Sequence, residues 1–466
     1  MEDKQGIMDY GSLIYITLQR ARTAREAIAT IVFLANRYGY ASSGESFSIA
    51  DENEAWIMEL IGKGSKLDDK GNNLRKGIVW VARRIPDGYV SGHANQARIT
   101  TFPLNDKKNC LYAEDVISFA REMGYFSGKD EEFSFCDAYA PLDFGGLRGC
   151  EARVWSFFRT VAEGMDKYTD YAMGHNPKNR MPLWVKPTQK VSPKQLFDAM
   201  RDHYEGTPMD MTQDIGAGGN ALPYRWRPMG FEHEGKSYMN ERAIATQQTG
   251  FWFVGQSRGW LPDEIGGLNW FGCDDAATSY LTPIYTSTYE VPECFRVGNG
   301  DMITYSPTSA FWMTNRVANA CYKAYNIMFP TVDAEIDAWE ASMVEAVAKA
   351  DKEALELYKA AEAAPAKKIR RNDKCRKVVD KFAPVREYLT KFSVDNAQEI
   401  FNKWVALEQL LLVKYIDGNV KAQNEDGSFV TNEHTDCIPD KITQPGYTEK
   451  WKEAVANDHG KVVEVK

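Results

Sequence analysis

The chain has 466 residues and a mass of 52.7 kDa, which predicts two or three domains, or one large layered domain with additions. Hydrophobic residues make up 44% and charged residues 26%, a composition typical of a folded globular protein, so the chain is not a disordered tail. The net charge of −9 argues against sequence-independent binding of nucleic acid, and the absence of a long apolar run predicts no membrane span.

The predicted elements begin with two helices. Leu13, Ile14 and Leu18 fall on one helical face, and the sequence from Thr23 to Glu26 has the pattern of a capping box that starts a second helix. Strands are then predicted at four places: residues 46–51, 55–62, 78–86 and 89–100. A short polar gap separates the first two strands, which are therefore expected to form a hairpin. Two helices followed by meandering strands favour an α+β fold.

The second half of the chain continues this pattern and then changes. Ser192 to Gln195 has the pattern of a capped helix start, and this helix is expected to run to about Tyr204. Residues 240–290 are rich in predicted strands. From residue 332 onward the sequence favours helix, at residues 335–363 and 376–414, with a basic linker containing proline at residues 364–373. We therefore predict a core domain at residues 1–331 and a helical C-terminal region at residues 332–466, whose last part is polar and poorly patterned.

Several catalytic signatures are absent. The eight cysteines include no CxxC pair and predict mostly free, buried thiols. The six histidines show neither an HExxH motif nor another paired spacing, so no metal site is predicted. No GxSxG motif of a serine hydrolase occurs. The chemistry rules alone therefore lead no further than an α+β protein.

A resemblance to a known family takes the interpretation further. The most specific segments are residues 42–51 (SSGESFSIAD), 54–64 (EAWIMELIGKG), 79–88 (VWVARRIPDG) and 92–99 (GHANQARI). Further likeness lies at residues 241–244 (ERAI) and 270–275 (WFGCDD). Together these segments resemble the PepD-type dipeptidases, which are cysteine peptidases of the N-terminal nucleophile hydrolase superfamily. The likeness covers most of residues 6–345.

The resemblance implies a fold and a reaction. The fold would be a four-layer αββα sandwich with the helices on its outer faces. The reaction would be hydrolysis of a dipeptide amide bond through an acyl-enzyme on a cysteine at the mature N-terminus, with the α-amine of that cysteine as the base. No metal and no organic cofactor would be needed, and the substrate would be a dipeptide.

The start of the chain departs from the family pattern. The sequence begins Met-Glu-Asp-Lys, and its first cysteine is Cys110, beyond the first predicted strands. We therefore expect the sandwich to be N-terminally incomplete and the nucleophilic cysteine to be absent from this chain. The alternatives are a start assigned at an internal methionine, a fragment, and a homologue that has lost catalysis.

Five residues are candidates for the site. Asn95, expected at the end of the fourth strand, would donate its amide to the oxyanion of the reaction, as the superfamily resemblance implies; the alternative is an asparagine that bonds its own turn. Arg98 and Arg242 would bind a substrate carboxylate, unless they form structural ion pairs. Asp274 and Asp275 would hold the α-ammonium of a dipeptide, with the capping of a turn as the alternative.

Two neighbouring residues are weaker candidates. His93, two positions before Asn95, would line the site, although a surface or hydrogen-bonded histidine explains it as well. Cys273 lies beside two carboxylates, which raise the pKa of a thiol, and we reject it as a replacement nucleophile.

Three functions remain open at this point. The first is a dipeptidase, the second is a non-catalytic homologue that binds peptides or a partner protein, and the third is a hydrolase of non-peptide amides. The sequence also leaves open whether the protein forms a homo-oligomer and whether it is cytoplasmic or exported to the periplasm of a bacterium.

Overall fold

The computed structural model describes residues 1–364 and 380–465. These residues form two compact units. The first unit comprises Met1–Gln195 and Gly230–Arg242, and the second comprises Leu196–Met229 and Ala243–Lys466. Each unit has sheets and helices of its own.

The first unit contains short and medium helices around one larger sheet. Its helices are α1 (Tyr10–Arg20), α2 (Ala24–Tyr38), α3 (Val116–Glu122), α4 (Phe135–Tyr139), α5 (Ala152–Val161) and α6 (Thr169–Ala172), and α7 (Pro193–Ala199) begins at its end. Its strands are β1 (Gly44–Ala50), β2 (Ala55–Gly62), β3 (Ile78–Arg84), β4 (Val90–Ser91), β5 (Cys110–Tyr112), β6 (Trp184–Val185), β7 (Gly230–His233) and β8 (Lys236–Met239). A π-helical segment, Gly146–Glu151, leads directly into α5.

The larger sheet is antiparallel, with the strand order β1-β2-β3-β5. Its central strand β2 has side chains buried on both faces. Trp56, Met58 and Leu60 belong to one hydrophobic cluster, which includes residues of α1 and α2, while Ile57 belongs to a second cluster on the opposite face. Since side chains alternate along a strand, Glu59 lies on the same face as Ile57 and is only 1% exposed.

The first predicted elements are confirmed. Thr23 caps α2 through its hydroxyl, which accepts a hydrogen bond from the Glu26 N–H group at 3.2 Å. Strands β1 and β2 form the predicted hairpin, with Ala50 opposite Ala55 at the turn. Both results follow from short-range patterns of polar caps and alternating side chains.

The predicted strand at residues 89–100 is wrong, because only Val90 and Ser91 form a strand there. The N–H groups of Arg98 and Ile99 bond to the carboxylate of Glu59, at 2.6 Å and 3.1 Å, instead of to a neighbouring strand. A buried carboxylate satisfies these backbone donors, so residues 92–99 form a loop. Asn95 therefore lies within a loop and not at the end of a strand.

The second unit combines a small sheet with long helices. Its helices are α8 (Asp263–Gly266), α9 (Ala310–Cys321), α10 (Tyr325–Ala363), α11 (Ala383–Lys414) and α12 (Glu449–His459). Its strands are β9 (Phe251–Ser257), β10 (Gly267–Cys273), β11 (Thr282–Tyr285), β12 (Val420–Lys421), β13 (Thr431–Asn432), β14 (Thr435–Pro439) and β15 (Ile442–Thr443). The antiparallel sheet β11-β10-β9 shares one core with α9, α10 and α11, in which Trp270, Trp339 and Trp404 are buried.

Some helix limits differ from the predictions. Helix α7 ends at Ala199, before the expected end at Tyr204, whose φ of 66° lies outside the right-handed helical region. Helix α10 begins ten residues before the predicted start at 335 and includes Pro330, so it continues through the predicted domain boundary at 331/332. That boundary stays a prediction about domain organisation.

The C-terminal region is only partly as expected. Most of the predicted basic linker, and the predicted helix start at residue 376, lie outside the described residues. Helix α11 confirms the second predicted helix from Ala383 to Lys414, and short strands follow it where no regular structure was expected. Helices and sheets in both units confirm the α+β class, while the αββα sandwich stays a prediction. In the parts of the chain that the structure describes, no helix combines the length and apolarity of a membrane span.

Candidate functional site

Asn95 lies exposed in the loop at residues 92–99 of the first unit and has a φ of 61°, in the left-handed region. Its side-chain oxygen Oδ1 accepts a hydrogen bond from Nη2 of Arg153 at 2.9 Å. No protein group among residues 1–364 and 380–465 accepts a hydrogen bond from the Asn95 amide nitrogen Nδ2. The loop therefore presents an amide donor that is free to bond to a ligand, which is the arrangement that an oxyanion donor needs.

Arg98 lies in the same loop, but its charge is already used inside the unit. The side chain is 2% exposed, and Nε forms an ion pair with Oε1 of Glu151 at 2.9 Å. Nη1 donates to the carbonyl oxygen of Gly92 at 2.9 Å, and Nη2 donates to that of Pro182 at 2.9 Å. These contacts support the structural alternative for Arg98 and not a role in binding a substrate carboxylate.

The buried Glu59 completes this network. Burial raises the pKa of Glu59 to about 7, although the N–H groups of Arg98 and Ile99 and the Arg98 charge act in the opposite direction. The loop at 92–99 is thus held by two buried glutamates, Glu59 through its backbone and Glu151 through the Arg98 side chain.

His93 lies in the same loop and forms a hydrogen bond through Nε2 with the hydroxyl of Ser48 at 2.9 Å. Burial, together with the charge of Arg98, lowers the pKa of His93 to about 4. His93 is therefore neutral at neutral pH. Sequence reasoning did not find Ser48, because nothing in its local pattern on β1 distinguishes it from other polar strand residues.

Arg242 follows the hairpin formed by β7 and β8 and is half-buried. Its neighbour Glu241 forms an ion pair with Arg148, in which the Nε–Oε2 distance is 2.9 Å. This ion pair anchors the end of the hairpin segment to the π-helical segment Gly146–Glu151. Binding of a carboxylate by Arg242 itself stays a prediction.

Asp274 and Asp275 lie in the second unit, directly after β10, and are 1% and 0% exposed. Asp274 has a φ of 66° and accepts hydrogen bonds from Nδ2 of Asn315 at 3.3 Å. Asp275 accepts a hydrogen bond from the N–H group of Ala277 at 3.1 Å and one from the hydroxyl of Tyr322 at 3.4 Å. Asp275 therefore caps the turn that follows β10, and binding of an α-ammonium by either aspartate stays a prediction.

The electrostatics of this pair are unusual. Burial and the neighbouring Asp275 raise the pKa of Asp274 to about 8. Burial also raises the pKa of Asp275, against the opposing influence of His203. Within the described ranges, no lysine or arginine forms an ion pair with either carboxylate. A buried carboxylate pair without a cation is a place where a positive group could bind, or where protons stay bound.

The five predicted site residues thus fall into two groups. Asn95 and Arg98 share one loop of the first unit, and Arg242 belongs to the hairpin segment of the same unit. Asp274 and Asp275 lie together in the second unit. Sequence reasoning missed Glu59, Glu151 and Arg153, because the signals for a buried charge or for a distant hydrogen bond do not lie in the local sequence.

Five cysteines of the described residues are poor nucleophiles. Burial raises the thiol pKa at all five: Cys110, Cys136, Cys273, Cys294 and Cys321. For Cys273 the pKa rises to about 12, with burial as the main cause and Cys294 and Asp274 as further ones. The rejection of Cys273 is thus supported. No group of three or more histidine, cysteine or acidic side chains suited to a metal occurs among the described residues.

Comparison with known proteins defines the class. The sequence model of Peptidase family C69 matches residues 3–337, and the chain belongs to this family. The resemblance that the sequence motifs indicated is thereby confirmed.

Individual relatives are similar at low identity. A "Probable dipeptidase" of Salmonella dublin is 25% identical over 272 residues, which cover 58% of this chain and 53% of the relative. "Dipeptidase A" of Lactobacillus helveticus is 22% identical over 331 residues, which cover 70% of this chain and 60% of the relative. A "Probable dipeptidase A" of Streptococcus pyogenes serotype M3 is 24% identical over 316 residues, which cover 66% of this chain and 57% of the relative. The chain therefore spans little more than half the length of these relatives.

Proposed function

We propose that the protein to which this chain belongs is a dipeptidase that hydrolyses the amide bond of dipeptides. The observation that carries the proposal is the free amide donor of Asn95, which lies exposed in a loop that two buried glutamates hold in place. Membership of Peptidase family C69 and the dipeptidase names of the relatives support the same reaction.

The proposed mechanism uses a cysteine at the mature N-terminus of the protein. Its α-amine takes the thiol proton, and the thiolate then forms a bond to the carbonyl carbon of the dipeptide. Nδ2 of Asn95 donates a hydrogen bond to the resulting oxyanion. The C–N bond breaks as the leaving amine takes up a proton, and water hydrolyses the thioester. The raised thiol pKa values of Cys110 and Cys273 argue against either of these two as the nucleophile.

Each unit carries its own charged candidates for substrate recognition, and the two assignments are proposed separately. In the first unit we assign a substrate carboxylate to Arg242. In the second unit, Asp274 and Asp275 are the candidates for an α-ammonium, since no lysine or arginine of the described residues forms an ion pair with either carboxylate. Arg98 is left out, because its guanidinium is bound by Glu151 and by backbone carbonyl groups. Comparing free dipeptides with N-acetylated dipeptides and dipeptide amides would test each assignment separately.

The first experiment is the intact mass and N-terminal sequence of the protein from its native source. We expect a mass above 52.7 kDa and a cysteine as the first residue. A mature protein that begins at Met1 or Glu2 would remove the nucleophile and with it the proposed mechanism. In that case binding of dipeptides without hydrolysis would support the peptide-binding alternative.

The second experiment tests Asn95 in the full-length protein. The variant Asn95→Gly removes the amide and keeps a residue that tolerates a positive φ. We expect kcat to fall by about 10²- to 10³-fold with little change in KM. Asn53→Ala, an exposed asparagine in the turn between β1 and β2, is the matched control and should leave kcat unchanged. Unchanged kcat in Asn95→Gly would refute the oxyanion role, and activity only on non-peptide amides would favour an amidohydrolase.

A further inference from the structure

The guanidinium group of Arg153 contacts both Asn95 and the residue before it. Nη2 of Arg153 donates hydrogen bonds to Oδ1 of Asn95 at 2.9 Å and to the carbonyl oxygen of Ala94 at 3.1 Å. Nε of Arg153 donates to the carbonyl oxygen of Gly149 at 2.9 Å. Arg153 therefore links the loop at 92–99 to the π-helical segment Gly146–Glu151, which precedes it in the chain.

These contacts fix the direction of the Asn95 amide. A guanidinium has only donors, so it can face the oxygen of an amide but not its NH₂ group. The terminal torsion of asparagine is otherwise broad, and an exposed amide would sample both orientations. With Oδ1 held by Arg153, Nδ2 points away from Arg153 and stays available as a donor.

The hydrogen bond from the Arg153 guanidinium to Oδ1 of Asn95 also affects how strongly the Asn95 amide nitrogen can donate. A hydrogen bond from a charged donor is stronger than one between neutral groups, and hydrogen bonds in a chain polarise one another. An amide whose oxygen bonds to a guanidinium is therefore a better donor at its nitrogen. The arrangement both orients Nδ2 and strengthens the hydrogen bond that it offers.

The position of Arg153 suits this purpose. It is half-buried near the start of α5, and Glu151 of the adjoining π-helical segment binds Arg98 of the same loop. One short segment thus fixes the loop at both Ala94–Asn95 and Arg98. π-Helical segments are rare and often occur at functional sites.

We propose that Arg153 is a positioning residue, which holds Asn95 so that its amide nitrogen faces the oxyanion of the substrate. This inference rests on the proposed dipeptidase function and adds to it the residue on which the Asn95 donor depends.

The test is a double-mutant cycle in the full-length protein, with dipeptide hydrolysis as the assay. In the wild-type background, Arg153→Met should lower kcat by about 10- to 100-fold with KM changed by less than about threefold. Arg153→Lys keeps the charge but not the planar fork, and should lie between wild type and Arg153→Met. Arg159→Met on the same helix, which removes an ion pair with Asp166, is the matched control and should keep full activity.

The decisive comparison is made in the Asn95→Gly background. If Arg153 acts through Asn95, then Arg153→Met should cause almost no further loss of kcat there. An equal loss in both backgrounds, or wild-type kcat in Arg153→Met, would overturn the proposal. If Arg153→Met does not fold, Arg153→Lys serves for the same cycle.

A second readout does not depend on activity. The side-chain NH₂ signals of Asn95, recorded by NMR with ¹⁵N-labelled asparagine and assigned by their loss in Asn95→Gly, should shift in Arg153→Met but not in Arg159→Met. Shifted signals in a protein that hydrolyses no dipeptide would reject the proposed function while the contact stands. Unshifted signals would reject the positioning role whatever the activity.

Discussion

Each of the two compact units buries a pair of carboxylates, and the two pairs differ in how their charge is compensated. In the first unit, Glu59 and Glu151 lie around Arg98, whose guanidinium forms an ion pair with Glu151. In the second unit, Asp274 and Asp275 receive hydrogen bonds from neutral groups such as Asn315 and Tyr322. Since an ionised carboxylate is costly to bury without a cation, Glu151 is stabilised by its ion pair, whereas Asp274, with its pKa raised to about 8, is stabilised by a retained proton at neutral pH.

The comparison shows that a charged residue in the sequence does not reveal whether its charge is available. Arg98 and the two aspartates were predicted to bind the two ends of the same substrate. In the structure the charge of Arg98 is used within the unit, whereas no lysine or arginine among the residues described forms an ion pair with the aspartates. The largest changes in the free energy of unfolding are therefore expected where a substitution breaks an ion pair. Smaller changes are expected where an amide replaces a protonated carboxyl group.

The largest effect is expected for Arg98→Met. This substitution leaves Glu151 buried without its cation, and the free energy of unfolding should fall by about 3–5 kcal/mol. Urea unfolding measures the change. Arg121→Met, which removes a pair with Asp130 that is largely exposed, should cost less than about 1 kcal/mol. A raised KM at unchanged stability would instead give Arg98 the substrate-binding role.

A smaller change in the free energy of unfolding is expected for Asp274→Asn. At high pH this variant should be more stable than the wild type. The pKa of Asp274 is raised to about 8, so the folded protein holds a proton that the unfolded chain releases near pH 4, and the stability of the wild type falls as the pH rises between these values. Asparagine mimics the protonated form and should remove this slope, with a gain on the order of 1–3 kcal/mol above pH ~8.

Urea unfolding at several pH values, with the exposed Asp436→Asn as control, measures the effect of Asp274→Asn. A variant that is less stable than the wild type at high pH would show that Asp274 is ionised and paired in the folded protein. Asp274 would then be a paired charge like Glu151, and the difference between the buried carboxylates of the two units would disappear.

Local patterns in the sequence were sufficient for the elements that local interactions determine. The capping hydroxyl of Thr23 and the alternation along β1 and β2 involve residues that are close in the chain, and both were predicted correctly. The family also followed from the sequence, because the segments at residues 42–99 resemble those of the PepD-type dipeptidases, and the family model that matches residues 3–337 confirms it.

Contacts between distant residues could not be predicted in this way. The strand expected at residues 89–100 is a loop because the carboxylate of Glu59, on another strand, takes two of its backbone donors. Asn95 was predicted as a donor from the family resemblance, but Arg153, which bonds to its side-chain oxygen, lies 58 positions further along the chain. The missing information was which partner each polar group finds after folding.

The smallest effect is expected for Glu59→Gln. The pKa of Glu59 is raised to about 7, so its folded form retains a proton between pH ~4.5 and ~7 and stability falls as the pH rises through this window. The glutamine oxygen can still accept the N–H groups of Arg98 and Ile99, and the variant should lose only this slope. His93, with its pKa lowered to about 4, adds a slope of opposite sign below pH ~6.5.

Because wild type and Glu59→Gln share the contribution of His93, the difference between their unfolding free energies isolates Glu59. Glu52→Gln in the exposed turn is the control. A difference that stays constant across pH ~4.5 to ~7 would mean that Glu59 is ionised throughout, held by Arg98 as firmly as Glu151 is. Both glutamates of the first unit would then be paired charges, and their contrast with Asp274 of the second unit, whose pKa is raised to about 8, would be sharper still.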